Sequence, residues 1–233
     1  MVAATNLVLV PGLLCTKALW AAQTAALGDI ADMTVADHTG HDSMAAIAKS
    51  ILAAAPARFA LAGLSMGGYI AYEILRQAPE RVTRLALLDT GYRADAPERR
   101  EQRLALMALA EREGASKAQE TLLPALIHKS RLTDKALVEA VLQMGADTGT
   151  EAFKRQQTAL MSRPDSTPLL AGIRCPTLVL VGRQDALTPP ELSQEMASRI
   201  PGAKLEIVPD CGHLSTMEQP AAVNRALRAW LTE

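Results

Sequence analysis

Short apolar runs, each too brief to make a helix, recur towards both ends of the chain and predict strands buried within a sheet. They lie at residues 7–10, 33–36, 59–62, 82–88, 177–181 and 205–208. Segments with helical spacing separate most of these runs, among them residues 16–27, with Thr16 as N-cap, and a C-terminal helix that starts at Pro220. Because strands and helices alternate, we expect an α/β fold, with a mostly parallel central sheet and helices on both of its faces.

One long segment breaks this alternation. Residues 91–168 contain no strand-like run, and their charged, amphipathic stretches have helical periodicity. These stretches lie at residues 98–113, 132–144 and 151–162. The pattern therefore predicts an all-helical insertion at residues 92–168, placed between two strands of a single core that consists of residues 1–91 and 169–233.

The composition excludes several classes of protein. A net charge of −1 gives no reason to expect a nucleic-acid partner. The sequence contains no run of 18 apolar residues, so we expect no membrane span. Three scattered cysteines argue against a disulfide framework and the first six residues lack the pattern of a signal peptide, which together favour a cytoplasmic protein. With two Trp, three Tyr and two Phe, any pocket should be walled mainly by aliphatic side chains, which suits aliphatic or small acyl groups.

The most informative motif is Gly-Leu-Ser-Met-Gly at residues 63–67, between the apolar run 59–62 and a helical segment at 68–75. A serine on such a sharp strand-to-helix turn projects out of the sheet. The residues two before and two after it must be very small, because the strand and helix backbones nearly touch there. The motif therefore predicts Ser65 as a nucleophile. The alternative is a glycine-rich turn whose serine only caps the helix.

A serine hydroxyl needs a base to take its proton and a third group to orient that base. His213, in the loop between the last strand and the last helix, is the predicted base, because it comes last in the expected order of serine, acid and histidine. Asp185 follows the run at 177–181 and is the predicted acid, because the carboxyl ends of parallel strands share one edge of the sheet. Asp89 also ends a strand and is a rival for the acid role.

The other histidines have simpler interpretations. His38, His41 and His128 all precede the predicted acid and so break the expected order. Together with Asp37 and Asp42, the first two have the residue types of a metal site, but a polar turn between a strand and a helix explains this cluster more simply. His128 lies in the helical insertion, where we expect a surface or pocket-wall residue.

Attack on a carbonyl group also requires hydrogen-bond donors for the oxyanion that develops. One backbone N–H is expected from Met66, directly after the nucleophile, and we expect the Met66 side chain to face the substrate as well. The second N–H is expected from Leu13, in the loop after the first strand. An ordinary turn is the alternative interpretation of Pro11 and Gly12.

Four motifs in this order resemble those of the α/β-hydrolase superfamily, and the resemblance covers essentially the whole chain. Residues 10–13 resemble its oxyanion loop, with Pro11 where histidine is commoner. Residues 37–43 resemble its D-x-x-G-x-G-x-S loop, with His41 in place of the second glycine. The last two motifs are similar to its G-x-x-D-x-x-x-P acid loop and its G-H…E-x-P histidine loop; they lie at residues 182–189 and 212–220.

The resemblance implies that residues 92–168 form a cap over the pocket and that no cofactor is needed. It points to a small-cap, serine carboxylesterase-like group, which includes methyl esterases of carrier-protein esters and lactone hydrolases. The expected function is hydrolysis of carboxylic esters of small or medium aliphatic acyl groups, through an acyl-enzyme on Ser65. The partner would be a small-molecule ester, with no nucleic acid and no membrane, and the protein a monomer or homodimer.

Other functions on the same scaffold stay open at this point. They are a lactone hydrolase, a C–C hydrolase or lyase that uses the same three side chains, and a ligand receptor without catalysis. Specificity would lie in the insertion, whose apolar side chains either line the pocket or pack the insertion on itself. The candidates are Met107, Leu122, Leu126, Met144 and Met161.

Overall fold

The computed structural model describes residues 4–233, and at its centre lies a sheet of six strands. The strands are β1 (Thr5–Val10), β2 (Ala31–Val35), β3 (Phe59–Leu64), β4 (Val82–Leu88), β5 (Thr177–Gly182) and β6 (Lys204–Val208). Their order across the sheet is β2-β1-β3-β4-β5-β6, and every neighbouring pair is parallel. The predicted parallel sheet is confirmed, and each of the six apolar runs supplies one strand.

Helices cover both faces of the sheet. The α-helices of the described chain are α1 (Ala21–Leu27), α2 (Met44–Ala54), α3 (Met66–Gln77), α4 (Pro97–Glu113), α5 (Ala115–Leu126), α6 (Lys135–Thr148), α7 (Thr150–Met161), α8 (Thr167–Leu170), α9 (Pro190–Arg199), α10 (Ser215–Glu218) and α11 (Pro220–Thr232). Leu7 and Leu9 of β1 pack in one apolar cluster with α1 and α11, whereas Val8 and Val10 pack in a second cluster with α2 and α3. Because successive side chains of a strand point to opposite faces, burial on both sides makes each strand a continuous apolar run.

Some element boundaries differ from those predicted. The helix expected at residues 16–27 is two elements, because a 3-10 helix at Lys17–Trp20, capped by the Thr16 hydroxyl, precedes α1. Apolar spacing does not separate the two, since a 3-10 turn differs from an α turn by less than one residue. β2 begins two residues earlier than predicted, and α6 begins three residues later, where Asp134 accepts the N–H of Leu137 as its N-cap.

Between β4 and β5 the described chain forms helices only. The sequence pattern did not separate α5, because Gly114, with φ at 91°, ends α4 and α5 begins at the next residue. Helices α4, α5 and α7 meet around Phe153 in a third apolar cluster, which also includes Leu14 from the loop after β1. The all-helical character expected here agrees with these elements. The division of the chain at residues 92 and 168 stays a prediction.

The N-terminal segment and the helices bear on the expectations about a signal peptide and a membrane span. Residues 1–3, part of the segment considered for a signal peptide, lie outside the described residues. From residue 4 to residue 233, no helix is both long enough and apolar enough to cross a membrane.

Cys15, Cys175 and Cys211 are free thiols, and burial raises the pKa of Cys15 to about 12, so that this thiol stays protonated.

Candidate active site

The turn after β3 holds Ser65 in a strained backbone conformation. Its φ is 54° and its ψ is −113°, a combination that residues with a side chain rarely adopt. A Cβ atom on Gly63 would overlap the carbonyl of Gly67, so Gly63 is needed where strand meets helix, as predicted. A Cβ atom on Gly67 would instead overlap the carbonyl of Val10 in β1, a contact that the spacing of the motif did not reveal.

The site lies where the strand order of the sheet reverses. β1 lies between β2 and β3, so the chain leaves β1 towards one side and later adds β3 on the other side. Loops that leave two such strands diverge, and the crevice between them is the usual ligand site of an open parallel sheet. Ser65, which follows β3, and Leu13, which follows β1, both line the cleft at this point.

Three predicted side chains meet in this crevice. His213 Nε2 lies 2.8 Å from Ser65 Oγ, and His213 Nδ1 lies 2.8 Å from Asp185 Oδ2. Asp185 and His213 are buried, whereas Ser65 is half-buried and lines the cleft. Each residue follows the end of a different strand, β3, β5 or β6, so the parallel sheet brings their side chains to one edge as expected.

Asp185 is held by its own loop as well as by the histidine. Its Oδ1 accepts the N–H groups of Leu187 and Thr188, each at 2.9 Å, and its Oδ2 accepts the Thr188 hydroxyl at 2.7 Å. Burial alone raises the pKa of Asp185, but the charge and hydrogen bond of His213, with the bonds from Thr188, outweigh burial and keep the pKa below its usual value. Sequence reasoning gave Thr188 no role, although a polar residue just after an aspartate is typical of such side-chain turns.

The loop that carries His213 is fastened to the helical insertion. The carbonyl of Leu126, at the end of α5, accepts the N–H groups of His213 at 3.0 Å and Leu214 at 3.1 Å. Burial lowers the pKa of His213, but the charge and hydrogen bond of Asp185 outweigh burial and raise the pKa above its ordinary value. The insertion therefore helps to position the imidazole, and the carboxylate of Asp185 at the sheet edge makes it more basic.

Asp89, the rival acid, lies at the end of β4 and is fully buried. Its Oδ1 accepts the N–H of Gly182 at 2.9 Å, and its Oδ2 accepts the backbone N–H of Ser215 at 3.2 Å together with the Ser215 hydroxyl. Burial, followed by the neighbouring charge of Asp185, raises the pKa of Asp89 to about 8. In the described chain no hydrogen bond joins Asp89 to His213. Asp89 instead ties β5 and α10 to the end of β4.

The two backbone donors expected for an oxyanion have no acceptor within residues 4–233. Met66 is the first residue of α3, where N–H groups lack an intrahelical partner and the helix dipole favours negative charge. Leu13 lines the cleft beside Ser65. The expectation that the Met66 side chain faces the substrate is wrong, because that side chain is buried in the apolar cluster between the sheet and α3.

A buried polar network joins the loop after β1 to the helical insertion. The N–H of Leu14, a residue with φ at 55°, donates to Gln156 Oε1 of α7 at 3.1 Å. His38 Nε2 lies 2.9 Å from the carbonyl oxygen of Gly12 and 3.0 Å from Gln156 Nε2. Burial lowers the pKa of His38, which keeps its ring neutral beside this loop. Gln156 was missed because a polar residue in a polar helix gives no sequence signal of what it contacts.

The other residues considered for a metal site have different surroundings. Asp37 Oδ1 accepts the N–H and the hydroxyl of Thr39, and His41 is exposed, as is Asp42. His128, the histidine of the insertion, is half-buried, and its Nδ1 lies 2.7 Å from the Ser130 hydroxyl. Within the described part of the chain, no three His, Cys, Asp or Glu side chains form a group that could hold a metal ion.

A cleft of about 170 Å³ opens over Ser65, between the sheet edge and the helical insertion. Its apolar wall is made of leucines at positions 13, 64, 106, 122, 126, 160, 187 and 214. Of the five candidates from the insertion, Leu122 and Leu126 line the cleft. The three methionines do not line it: Met144 is buried in the cluster that also holds Leu7 and Leu9 of β1, Met107 packs beside the Phe153 cluster, and Met161 is half-buried.

The cleft also has a polar end that the sequence analysis missed. Arg99, Arg103 and Arg163 line it, together with Asp95 and Gln157. The low aromatic content correctly indicated an aliphatic wall, but composition carries no information on which charged residues of a helix turn inwards.

A model of the alpha/beta hydrolase family matches residues 7–226, which include all three members of the Ser65–His213–Asp185 group. The chain belongs to the alpha/beta hydrolase family. Two solved structures of alpha/beta hydrolases resemble it over nearly its whole length. A thermophilic esterase from Thermogutta terrifontis is 34% identical, with a TM-score of 0.90, and the match covers 99% of this chain and 90% of that one. The enol-lactonase from Burkholderia xenovorans LB400 is 25% identical, with a TM-score of 0.89 and coverage of 99% and 92%.

A curated relative of this alpha/beta hydrolase extends the comparison. The pimeloyl-[acyl-carrier protein] methyl ester esterase of Nitrosomonas europaea is 29% identical over 187 residues, which cover 77% of this chain and 73% of the relative. The fold is therefore the α/β-hydrolase fold that the motifs imply, and these similar proteins are hydrolases. Esters and a lactone are named among their substrates.

Proposed function

We propose that this alpha/beta hydrolase is a serine carboxylesterase that acts on esters of small or medium aliphatic acyl groups. The observation that carries the proposal is the series Ser65–His213–Asp185, in which both contacts of the imidazole measure 2.8 Å. A general base must lie within hydrogen-bond reach of the proton that it abstracts, and His213 Nε2 meets this condition. The esterases among the similar proteins support the same chemistry.

In the first half-reaction, Ser65 Oγ attacks the carbonyl carbon of the ester while His213 Nε2 takes the hydroxyl proton. The carboxylate of Asp185 stabilises the imidazolium that forms and fixes the tautomer that leaves Nε2 free to accept. The tetrahedral intermediate then breaks its C–O bond to the alcohol, and His213 returns the proton to this leaving group. The acyl group remains bound to Ser65.

In the second half-reaction a water molecule replaces the alcohol. His213 takes a proton from the water as its oxygen attacks the acyl carbon, and the bond to Ser65 Oγ breaks. The proton returns to Oγ and the carboxylic acid leaves. In both steps the carbonyl oxygen gains negative charge, and the N–H groups of Leu13 and Met66 are the proposed donors to it.

Lactone hydrolysis is the second candidate, favoured by the likeness to an enol-lactonase. A lactone is a cyclic ester, so the same attack by Ser65 opens the ring, and the alcohol stays attached to the acyl group. The two candidates differ in whether the first product leaves the cleft before water enters. A substrate panel therefore separates them better than any substitution of the three central residues.

Purified protein assayed against p-nitrophenyl acetate, p-nitrophenyl butyrate and γ-butyrolactone tests the proposal. We expect ester turnover that falls by at least about 10⁴-fold in kcat for Ser65→Ala. The matched control is Ser162→Ala, an exposed serine at the end of α7, which should behave as the unmodified protein. Turnover of the esters by Ser65→Ala at the unmodified rate would rule out the proposed nucleophile.

A further inference from the structure

The cleft ends in a cluster of charged side chains where the start of α4 meets the end of α7. Arg103 Nε lies 2.6 Å from Asp95 Oδ2, and Arg163 Nη2 lies 2.8 Å from Asp95 Oδ1. The side chains of Arg163 and Asp95 are each only 6% exposed. One buried carboxylate is thus shared by two guanidinium groups, which leaves one positive charge without a partner.

No other acid balances that charge at the cleft. Asp95 is the one acidic residue among the described residues that line the cleft. Arg99 also lines it and forms no ion pair within residues 4–233. Arg103 and Arg163 each use three of their five N–H groups on the protein. Donors and positive charge therefore remain at this end for an anion.

Gln157 gives a second, independent indication. The side chain is fully buried, and its Nε2 atom has no hydrogen-bond partner among the described residues. Its orientation is fixed, because Oε1 accepts from Arg103 Nη1 at 2.8 Å and a flipped amide would place two donors face to face. A buried amide N–H without an acceptor is costly, so this donor calls for an oxygen that the chain itself does not supply.

The cluster is also linked to the nucleophile. The guanidinium of Arg163 stacks over the ring of Tyr69 at 4.1 Å from its centroid, and Tyr69 lies in α3, one helical turn after Ser65. Both Tyr69 and Ser65 line the same cleft. A substrate bound at Ser65 can therefore extend along the leucine wall to the charged end.

We propose that Arg99, Arg103, Arg163 and Gln157 bind a carboxylate of the substrate that is separate from the reacting carbonyl group. The preferred substrates are then half-esters of dicarboxylic acids, or lactones that carry a carboxylate. This inference rests on the proposed esterase function, which supplies the reacting end. It specifies the chemical class of the substrate group that lies away from the reacting carbonyl, which is a carboxylate.

Matched substrates test the inference: the monomethyl and dimethyl esters of succinic, glutaric and adipic acid. They share the acyl chain and differ in one negative charge. We expect kcat/KM for the best half-ester to exceed that for its diester by at least about tenfold, with the ratio falling as ionic strength rises. Equal kcat/KM values for both members of every pair would overturn the inference while leaving the esterase function intact.

Gln157→Glu is the sharpest variant, because the new carboxylate can still accept from Arg103 but replaces the free donor by a negative charge. We expect it to lower the half-ester to diester ratio at least about tenfold, and Arg99→Gln to lower it a few-fold, as for an exposed charge. The control is Arg100→Gln, an exposed neighbour on α4 that does not line the cleft and should leave the ratio unchanged. An unchanged ratio in Gln157→Glu would overturn the inference.

Binding of glutarate and adipate, measured by calorimetry, does not depend on turnover. We expect both dicarboxylates to bind the unmodified protein and to bind Gln157→Glu at least about tenfold more weakly. This result would support the anion site even if the protein hydrolysed none of the esters. In that case only the proposed esterase function would fail. Equal binding to both proteins, or none to either, contradicts the anion site.

Discussion

Asp89 and Asp185 end neighbouring strands at the same edge of the sheet and are both buried, yet their surroundings differ. Asp185 accepts from two backbone N–H groups, a hydroxyl and the imidazole of His213. Asp89 accepts only from Gly182 and Ser215, which hold the backbone together. The pKa of Asp185 is lowered, while that of Asp89 is raised to about 8. The position of a carboxylate at a strand end is therefore not enough to identify the acid that contacts the histidine. The hydrogen-bond partners of each carboxylate distinguish the two residues.

In the proposed mechanism the carboxylate of Asp185 orients a base, whereas the carboxylate of Asp89 fastens strands. A charge beside the imidazole changes how readily the base takes a proton, and so acts on the rate. A carboxylate that satisfies buried N–H groups acts on the free energy of unfolding, because its loss leaves donors without acceptors. Substitutions at the two positions should therefore affect different measurements.

Asp185→Asn should have the largest effect. The amide would donate to His213 Nδ1 and hold the ring in the tautomer whose Nε2 carries a proton, so that it cannot accept from Ser65. We expect kcat for p-nitrophenyl butyrate to fall about 10⁴-fold, with the far-ultraviolet circular dichroism spectrum unchanged. A loss of less than tenfold in a folded variant would show that Asp185 does not orient the base.

The pH profile tests the electrostatic side of the comparison. His213 must be neutral to act as a base, so kcat/KM should rise with pH and level off above the pKa of the free enzyme. Because Asp185 raises that pKa above its ordinary value of 6.5, the midpoint of the rise should lie above pH 6.5. Below it the rate should fall about tenfold per pH unit. The midpoint should stay above 6.5 in Asp89→Asn, and a midpoint below 6.5 in the unmodified protein would contradict the assigned cause.

Asp89→Asn should change stability more than rate. An asparagine can still accept from Gly182, but its amide nitrogen would face the N–H of Ser215. We expect the free energy of unfolding, from urea titration, to fall by about 1–3 kcal/mol. The folded variant should keep kcat within about tenfold of the unmodified protein. A variant of unchanged stability whose kcat falls as far as that of Asp185→Asn would reverse the two roles.

Gln156→Leu tests the link between the insertion and the loop after β1, and should have the smallest effect. Losing the acceptor for the N–H of Leu14 lets the loop that carries Leu13 shift, and small displacements of catalytic groups are costly. We expect kcat to fall roughly tenfold with little change in KM, whereas Gln143→Leu, on the exposed face of α6, should not change it. A fall in melting temperature without a change in kcat would make Gln156 only structural.

The sheet and the three residues at its edge could be predicted because their signals are local. A buried strand is a short apolar run, Gly63 marks a close approach of two backbones, and Asp185 and His213 each follow a strand end. The choice between Asp185 and Asp89 rested on motif order, because both satisfy the rule of the strand end. Only the contacts of the carboxylates distinguish them.

The insertion could be predicted as helical but not as a wall of the cleft. Helical spacing gives the face that is buried, not what that face packs against, so Leu126 and Met144 looked alike although only Leu126 lines the cleft. Gln156 and Arg163 are polar residues of a polar segment, and their importance comes from contacts distant in sequence, with Leu14 and Asp95. Such pairs leave no trace in the periodicity of a single chain.

We propose that Ser65 is a nucleophile that His213 activates, and that Asp185 rather than Asp89 orients the imidazole of His213. The most direct measurement is the second-order rate of labelling by a fluorophosphonate, with the labelled peptide identified by mass spectrometry, in the unmodified protein, Asp185→Asn and Asp89→Asn. We predict a single label on Ser65, formed orders of magnitude more slowly in Asp185→Asn and within about tenfold of the unmodified rate in Asp89→Asn. A label on another residue, or equal rates in the unmodified protein and Asp185→Asn, would contradict the claim.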